Sequence, residues 1–90
     1  MLDIFFTNKF KKDYKKCKKQ GKNLQALSEV ISKLRAGVLL DKKYYDHGLS
    51  GNYSGARECH IEPDFLLIYR IDNEELVLTA VRLGSHSELF

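Results

Sequence analysis

The side chains best suited to chemistry are three histidines, His47, His60 and His86, together with Asp64, Arg82 and the terminal Phe90. An imidazole titrates near neutral pH, so it can give or take a proton where most side chains cannot. A guanidinium offers paired donors to phosphate or carboxylate oxygens. Arg57 and Glu58 accompany them in the second half of the chain. Each residue also has a plainer account. A lone histidine is more often a structural hydrogen-bonder, and Asp64 after Pro63 is an ordinary turn residue. Arg82 on a strand could simply pair with Glu58, and a terminal phenylalanine often plugs a core. Metal chemistry is not suggested. Cys59 and His60 are neighbours on an expected strand and so point to opposite faces. The three histidines and Asp64 match no common zinc spacing, and no cofactor is expected.

These groups need a rigid base, and Arg57 to Tyr69, RECHIEPDFLLIY, supplies one. Two strand-forming runs flank a Pro63-Asp64 break. Alternation puts Arg57, Cys59 and Ile61 on one face and Glu58 and His60 on the other. The second run is almost wholly apolar, so both of its faces should be covered. A further strand, Leu76 to Leu83, follows a polar turn at residues 72–75. There Arg82 keeps the parity of the Leu78–Ala80 face.

The first half supplies the cover. Leu2 to Phe6 reads as a short strand. Thr7 or Asn8 can cap a helix whose Phe10, Tyr14 and Cys17 form an apolar stripe, with Gly21 as a left-handed stop. Asn23 can cap a second helix, Leu24 to about Arg35, with Leu24, Leu27, Val30, Ile31 and Leu34 on one side. The two should pair as a hairpin packed on the sheet. Leu39 to Gly55 is irregular, and at least two of its three tyrosines should staple it to the sheet. The closing GSHSELF reads as a short tail. The order is β-α-α-β-β-β, an α+β fold with a helix hairpin on an antiparallel sheet.

The chain has 90 residues, 43% hydrophobic, with a formal charge of +3, which fits one small globular domain over residues 1–90. The two cysteines are far apart and in no redox or metal spacing, so they read as packed thiols. There is no signal-peptide core and no run of membrane-spanning length, so a cytoplasmic protein without a membrane partner is expected. The charge is unevenly placed. Lys9, Lys11, Lys12, Lys15, Lys16, Lys18, Lys19 and Lys22 supply eight of the fifteen basic residues, with Asp13 the sole acid among them. Like charges at i,i+4 repel slightly, so stability alone would favour interspersed glutamates. The run can contact nucleic-acid phosphates, or it can be a solvated face.

Two segments carry a resemblance: DHxLxGxYxGxRECHIxPDxLLIY from Asp46 to Tyr69, and RxGSHSxLF from Arg82 to Phe90. Together they resemble the YafQ branch of the RelE/ParE toxin superfamily. The first half agrees in its strand-helix-helix order and basic first helix. The resemblance implies a small bacterial toxin that cleaves mRNA, commonly on the ribosome, and is silenced by a cognate antitoxin. It carries a site of His47, His60, Asp64, Arg82, His86 and Phe90. Phe65 stands where some relatives have tryptophan, a change that keeps a stacking ring. Cleavage of this kind needs no metal when the ribose 2′-OH attacks its own phosphate. A base takes the 2′-OH proton, a cation holds the added charge, and an acid protonates the leaving 5′-oxygen. His86 suits the acid and Asp64 or His60 the base, with His47 on the phosphate and Phe90 under a base. Two alternatives stay open: a ParE-like toxin directed at gyrase, and an inactive module that binds RNA or antitoxin.

Overall fold

Thr7 decides where the first helix begins. In a computed structural model describing residues 1–90, its hydroxyl oxygen accepts the Phe10 N–H at 3.0 Å and its O–H donates to the Val81 carbonyl at 2.7 Å. One side chain thus caps the helix and ties it to a strand 74 residues away. The elements are β1 (Asp3–Phe6), α1 (Asn8–Lys19), α2 (Leu24–Arg35), β2 (His47–Gly48), β3 (Arg57–Glu62), β4 (Phe65–Asp72), β5 (Val77–Gly84) and α3 (His86–Leu89). Short 3-10 turns at Lys42–Tyr44 and Gly51–Tyr53 flank β2. Asn23 caps α2 through the Ala26 N–H, and Gly21 takes the left-handed conformation after α1 with φ +72°. No helix is long and apolar enough to cross a membrane.

The strands form one sheet in the order β1-β5-β4-β3-β2. The expected fold is present with three differences. The sheet is mixed, because β1 runs parallel to β5 while the other pairs are antiparallel. The irregular loop contributes the two-residue β2 on the far edge. The tail is a one-turn helix. It is built on a capping box in which Glu88 accepts from the Ser85 N–H and hydroxyl, a Ser-x-x-Glu signature legible in the sequence.

One face of the sheet packs Cys59, Ile61, Phe65, Leu67, Tyr69, Leu78, Ala80 and Leu83 against Phe10 and Cys17 of α1 and Leu27, Val30 and Leu34 of α2. The other face is covered more thinly by Leu89 of α3 and by Leu49 and Tyr53 of the loop, over Ala56, Leu66 and Ile68. Both faces of β4 are therefore dry, which explains its apolar run. Tyr44 and Tyr53 staple the loop to the two cores, while Tyr45 is 69% exposed. Tyr14 does not join the buried stripe. It is exposed and lines an apolar groove of about 630 Å³ between α1 and α2, with Ile4, Phe6, Leu24 and Ile31.

One irregularity changes which face carries a key residue. Tyr69 pairs with Ala80 and Ile68 with Arg82, so Val81 is an extra residue in β5. Strict alternation would send Arg82 to the core side with Leu78 and Ala80. The bulge cancels that parity and turns Arg82 to the opposite face.

Candidate active site

The register across the sheet lines up His47 with Glu58, Glu58 with Ile68, and Ile68 with Arg82. Residues directly opposite share a face, so His47, Glu58 and Arg82 lie in one transverse row on the side away from α1 and α2. A second row holds His60, Leu66 and Gly84, two residues before His86. Strands spaced about 4.8 Å apart put the β3 and β5 backbones roughly 10 Å from one another. The strip between them is not open: Leu66 and Ile68 of β4 lie fully buried under Leu49, Tyr53 and Leu89.

At the β3 end, Glu58 is only 4% exposed. A buried carboxylate needs donors. Its Oε1 lies 2.9 Å from His60 Nε2 and 4.0 Å from His47 Nε2. A carboxylate accepts, so the shared hydrogen sits on His60 Nε2, and the ring nitrogen left for exchange with substrate is Nδ1. His47 Nδ1 lies 2.6 Å from the Tyr45 carbonyl and must donate, which turns Nε2 toward Glu58. Tyr45 stands edge-on to His60 at 5.6 Å, held at a left-handed φ of +48°. With Asp46 and His47 it lines an open depression of about 370 Å³.

Asp46 fixes this loop. It accepts from Arg57 Nε at 2.7 Å and from the Tyr69 hydroxyl, so His47 is seated by its neighbour in the chain. Burial, and then Asp46, push the Tyr69 phenol above its ordinary range. Burial also pushes the Cys59 thiol up to about 12, which removes it as a nucleophile.

At the β5 end, Arg82 does not pair with Glu58. Its Nε and Nη2 donate to Asp13 of α1 at 2.7 and 3.1 Å, and its Nη1 lies 3.5 Å from the Tyr53 hydroxyl. The Asp13 hydrogen bond raises the Arg82 pKa further, so the side chain is a permanent cation. His86 and Phe90 pack ring to ring at 5.0 Å, and Tyr53 meets Phe90 edge-on at 5.6 Å. Phe90 is 53% exposed; Leu89, not the terminal ring, plugs the core. The Asp64 carboxylate accepts the backbone N–H of His86 at 3.0 Å and so holds the start of α3.

Gly84 has φ +155°, and a Cβ there would sit 3.2 Å from Glu88 Oε1 and 3.5 Å from Leu89 Cδ2. The positive φ favours glycine here, and a larger residue would press on the Glu88 carboxylate of α3. Lys16 reaches Glu88 at 2.5 Å and, with the serine cap, holds that carboxyl at about 2. Lys9, Lys11, Lys12, Lys15, Lys16, Lys18 and Lys19 are all exposed, while Lys22 is half-buried over the Phe65 ring at 6.0 Å. Phe65 itself is 1% exposed in the helix-side core, so it offers no stacking face.

The six expected residues thus fall into two groups on one side of the sheet: His47 with His60, and Arg82, His86 and Phe90 with Asp64 beneath. Sequence reading missed Asp13, Asp46 and Tyr53 as the residues that hold them. The signals available were Asp13, alone among lysines, and the places of Asp46 and Tyr53 within the DHxLxGxYxG segment.

A family model described as a bacterial toxin of type II toxin-antitoxin systems, YafQ, matches residues 2–90. The mRNA interferase toxin YafQ of Escherichia coli K12 is 35% identical over 89 residues, 98% of this chain and 95% of that protein. The crystal structure of a metal-bound toxin from Helicobacter pylori has a TM-score of 0.93 at 48% identity, over 100% of both chains. A chain of the E. coli DinJ-YafQ toxin-antitoxin complex has a TM-score of 0.88 at 33% identity, over 99% of this chain and 97% of that one. In the present structure no group of three or more His, Cys, Asp or Glu is arranged to hold a metal ion. His47, Glu58 and His60 come nearest, but the Glu58 oxygen is engaged by His60 and stands 4.0 Å from His47.

Proposed function

This chain belongs to the YafQ family of toxins of bacterial type II toxin-antitoxin systems, and from that premise we propose that it is an mRNA interferase working through its own side chains. The observation that carries the reading is the pair of rows across the sheet. Along them lie an imidazole on β3, a fixed cation on β5 and a second imidazole just beyond it, the kinds of group that metal-free RNA cleavage uses. A ribose 2′-OH beside His60 gives its proton to Nδ1 and attacks the adjacent phosphorus. The bond from phosphorus to the 5′-oxygen breaks, and His86 returns a proton to that oxygen. The products are a 2′,3′-cyclic phosphate and a free 5′-hydroxyl. Arg82 holds the non-bridging oxygens as charge builds on them. Asp64 is engaged on the His86 backbone, which favours His60 as the base. His47, with Nδ1–H given to the Tyr45 carbonyl, steadies the phosphate only in its doubly protonated form, by donating Nε2–H. Phe90, exposed beside His86 and Tyr53, offers ring surface to a neighbouring base.

The exposed lysines of α1 adjoin this face through the Asp13–Arg82 and Lys16–Glu88 contacts, and they suit backbone phosphates of mRNA or ribosomal RNA. A cognate antitoxin is its protein partner, as DinJ is for the E. coli relative. The ribosome is the proposed place of action, in the cytoplasm. Incubation with a defined mRNA, with and without ribosomes, followed by primer extension tests the reading. Discrete new 5′ ends are expected, and Arg82→Ala should lose them, with a fall of about 100-fold or more in rate. No cleavage under either condition, or full cleavage by Arg82→Ala, would overturn it.

A further inference from the structure

We propose that Asp13 is a positioning residue that sets the Arg82 guanidinium for the scissile phosphate, an inference that rests on the ribonuclease reading above. Asp13 is the only acid among the eight lysines between Lys9 and Lys22. A carboxylate on such a helix has lysine partners one turn away, here Lys9 and Lys16. Asp13 uses neither. Its side chain is 15% exposed and turned onto β5, where Oδ2 takes the Arg82 Nε–H at 2.7 Å and Oδ1 takes Nη2–H at 3.1 Å. Oδ2 also accepts the backbone N–H of Leu83 at 3.0 Å.

The last contact has a topological cause. β1 pairs with β5 only from Val77 to Ala80 and Thr7 extends the cover to the Val81 carbonyl, so the edge of β5 is open beyond Val81. Asp13 fills that edge and grips the side chain next to it. The strand and the guanidinium are thereby fixed by one carboxylate, 69 residues away in sequence.

The geometry of the guanidinium says what remains for substrate. It has five N–H groups in one plane. Asp13 takes the side edge formed by Nε and Nη2, and one Nη1 hydrogen turns to the Tyr53 hydroxyl. One hydrogen on Nη2 and one on Nη1 are left, a pair of donors suited to two phosphate oxygens. Asp13 also puts a negative charge close to where the phosphate binds. Its presence therefore weakens ground-state attraction for RNA while it orients the group that matters in the transition state. Removing the charge but not the shape should separate these effects.

Asp13→Asn keeps an oxygen acceptor for Leu83 N–H and loses the charged clamp. Its kcat for mRNA cleavage should fall about 10- to 100-fold through misplacement, with KM unchanged or lower. In an Arg82→Ala background the same substitution should cost less than about twofold, because coupled residues are non-additive. A nitrogen-15 spectrum gives a readout independent of activity. The Arg82 Nε–H signal should move from its hydrogen-bonded position in Asp13→Asn while the backbone amides keep their dispersion. Asp13→Glu, which keeps the charge on a longer arm, should recover part of kcat. The inference is overturned if Asp13→Asn cleaves like wild type while Arg82→Ala is inactive, if its cost persists unchanged without Arg82, or if the Nε–H signal does not move. Arg82→Ala cleaving like wild type would instead remove the ribonuclease reading, and the inference with it.

Discussion

Glu88→Ala removes three contacts that hold α3 in place. Glu88 Oε1 accepts from the Ser85 N–H at 2.9 Å and from its hydroxyl at 2.8 Å, and Oε2 meets Lys16 at 2.5 Å. Loss of such a cap costs about 1 kcal/mol. The ion pair is exposed on both sides and adds little to that figure. A four-residue helix has no internal reserve, so the cost falls on its docking rather than on the whole sheet. A loss of about 1 kcal/mol corresponds to roughly a fivefold rise in the undocked fraction. Hydrogen exchange reads this directly. The Leu89 and Phe90 amides, bonded to the Ser85 and His86 carbonyls, should lose about fivefold in protection while β4 amides keep theirs. Cleavage should weaken in parallel, because His86 and Phe90 ride on α3. The pH dependence follows from the carboxyl value of about 2, below its ordinary 4.5, with Lys16 the leading cause. A lowered carboxyl value stabilises above the ordinary value and loses that contribution as pH falls toward the folded one. Protection of α3 should therefore hold down to about pH 4.5 and fade toward pH 2, a step absent in Glu88→Gln. Wild-type protection and cleavage in Glu88→Ala at neutral pH would refute the reasoning.

Gly84→Ala should cost about 1–3 kcal/mol from its positive φ and from the Cβ that α3 would have to avoid, seen as a lower Tm and a loss of cleavage. Wild-type cleavage in that variant would show that α3 need not approach the strand. Tyr69→Phe removes a buried hydrogen bond to the Asp46 carboxylate, worth about 1.5–3 kcal/mol, and should lower Tm by about 10 °C in a chain of this length. The raised phenol value stabilises below the ordinary value of 10 and loses that contribution as pH rises above it, so wild type should lose stability there and Tyr69→Phe should not follow.

Both helices were legible because an apolar stripe, a polar cap and a glycine stop are local signals that agree with each other. The β3–β4 hairpin was legible because alternation sets the face of each residue once the Pro63 break is seen, and His60 and Glu58 fall where that alternation puts them. Tyr14 misled, since a stripe position is buried only if something packs against it, and the groove between α1 and α2 leaves it open. Phe65 misled in the other direction, because its ring is used by the core.

The sequence by itself determined α1, α2 and the four longer strands in their order, the face of β3 and the kinds of group available for chemistry, but neither β2 nor α3. Periodicity and capping act over a few residues, and those rules can be read along a chain. Only the tertiary structure decided what those groups face. A single extra residue at Val81 turned Arg82 to the side of His47 and Glu58, which no count of alternating residues predicts. Asp13 found Arg82 because β1 stops short of the end of β5 and leaves an edge to fill. Register and open edges arise from how strands and helices meet, and so the partner of each polar side chain is a property of the packed whole.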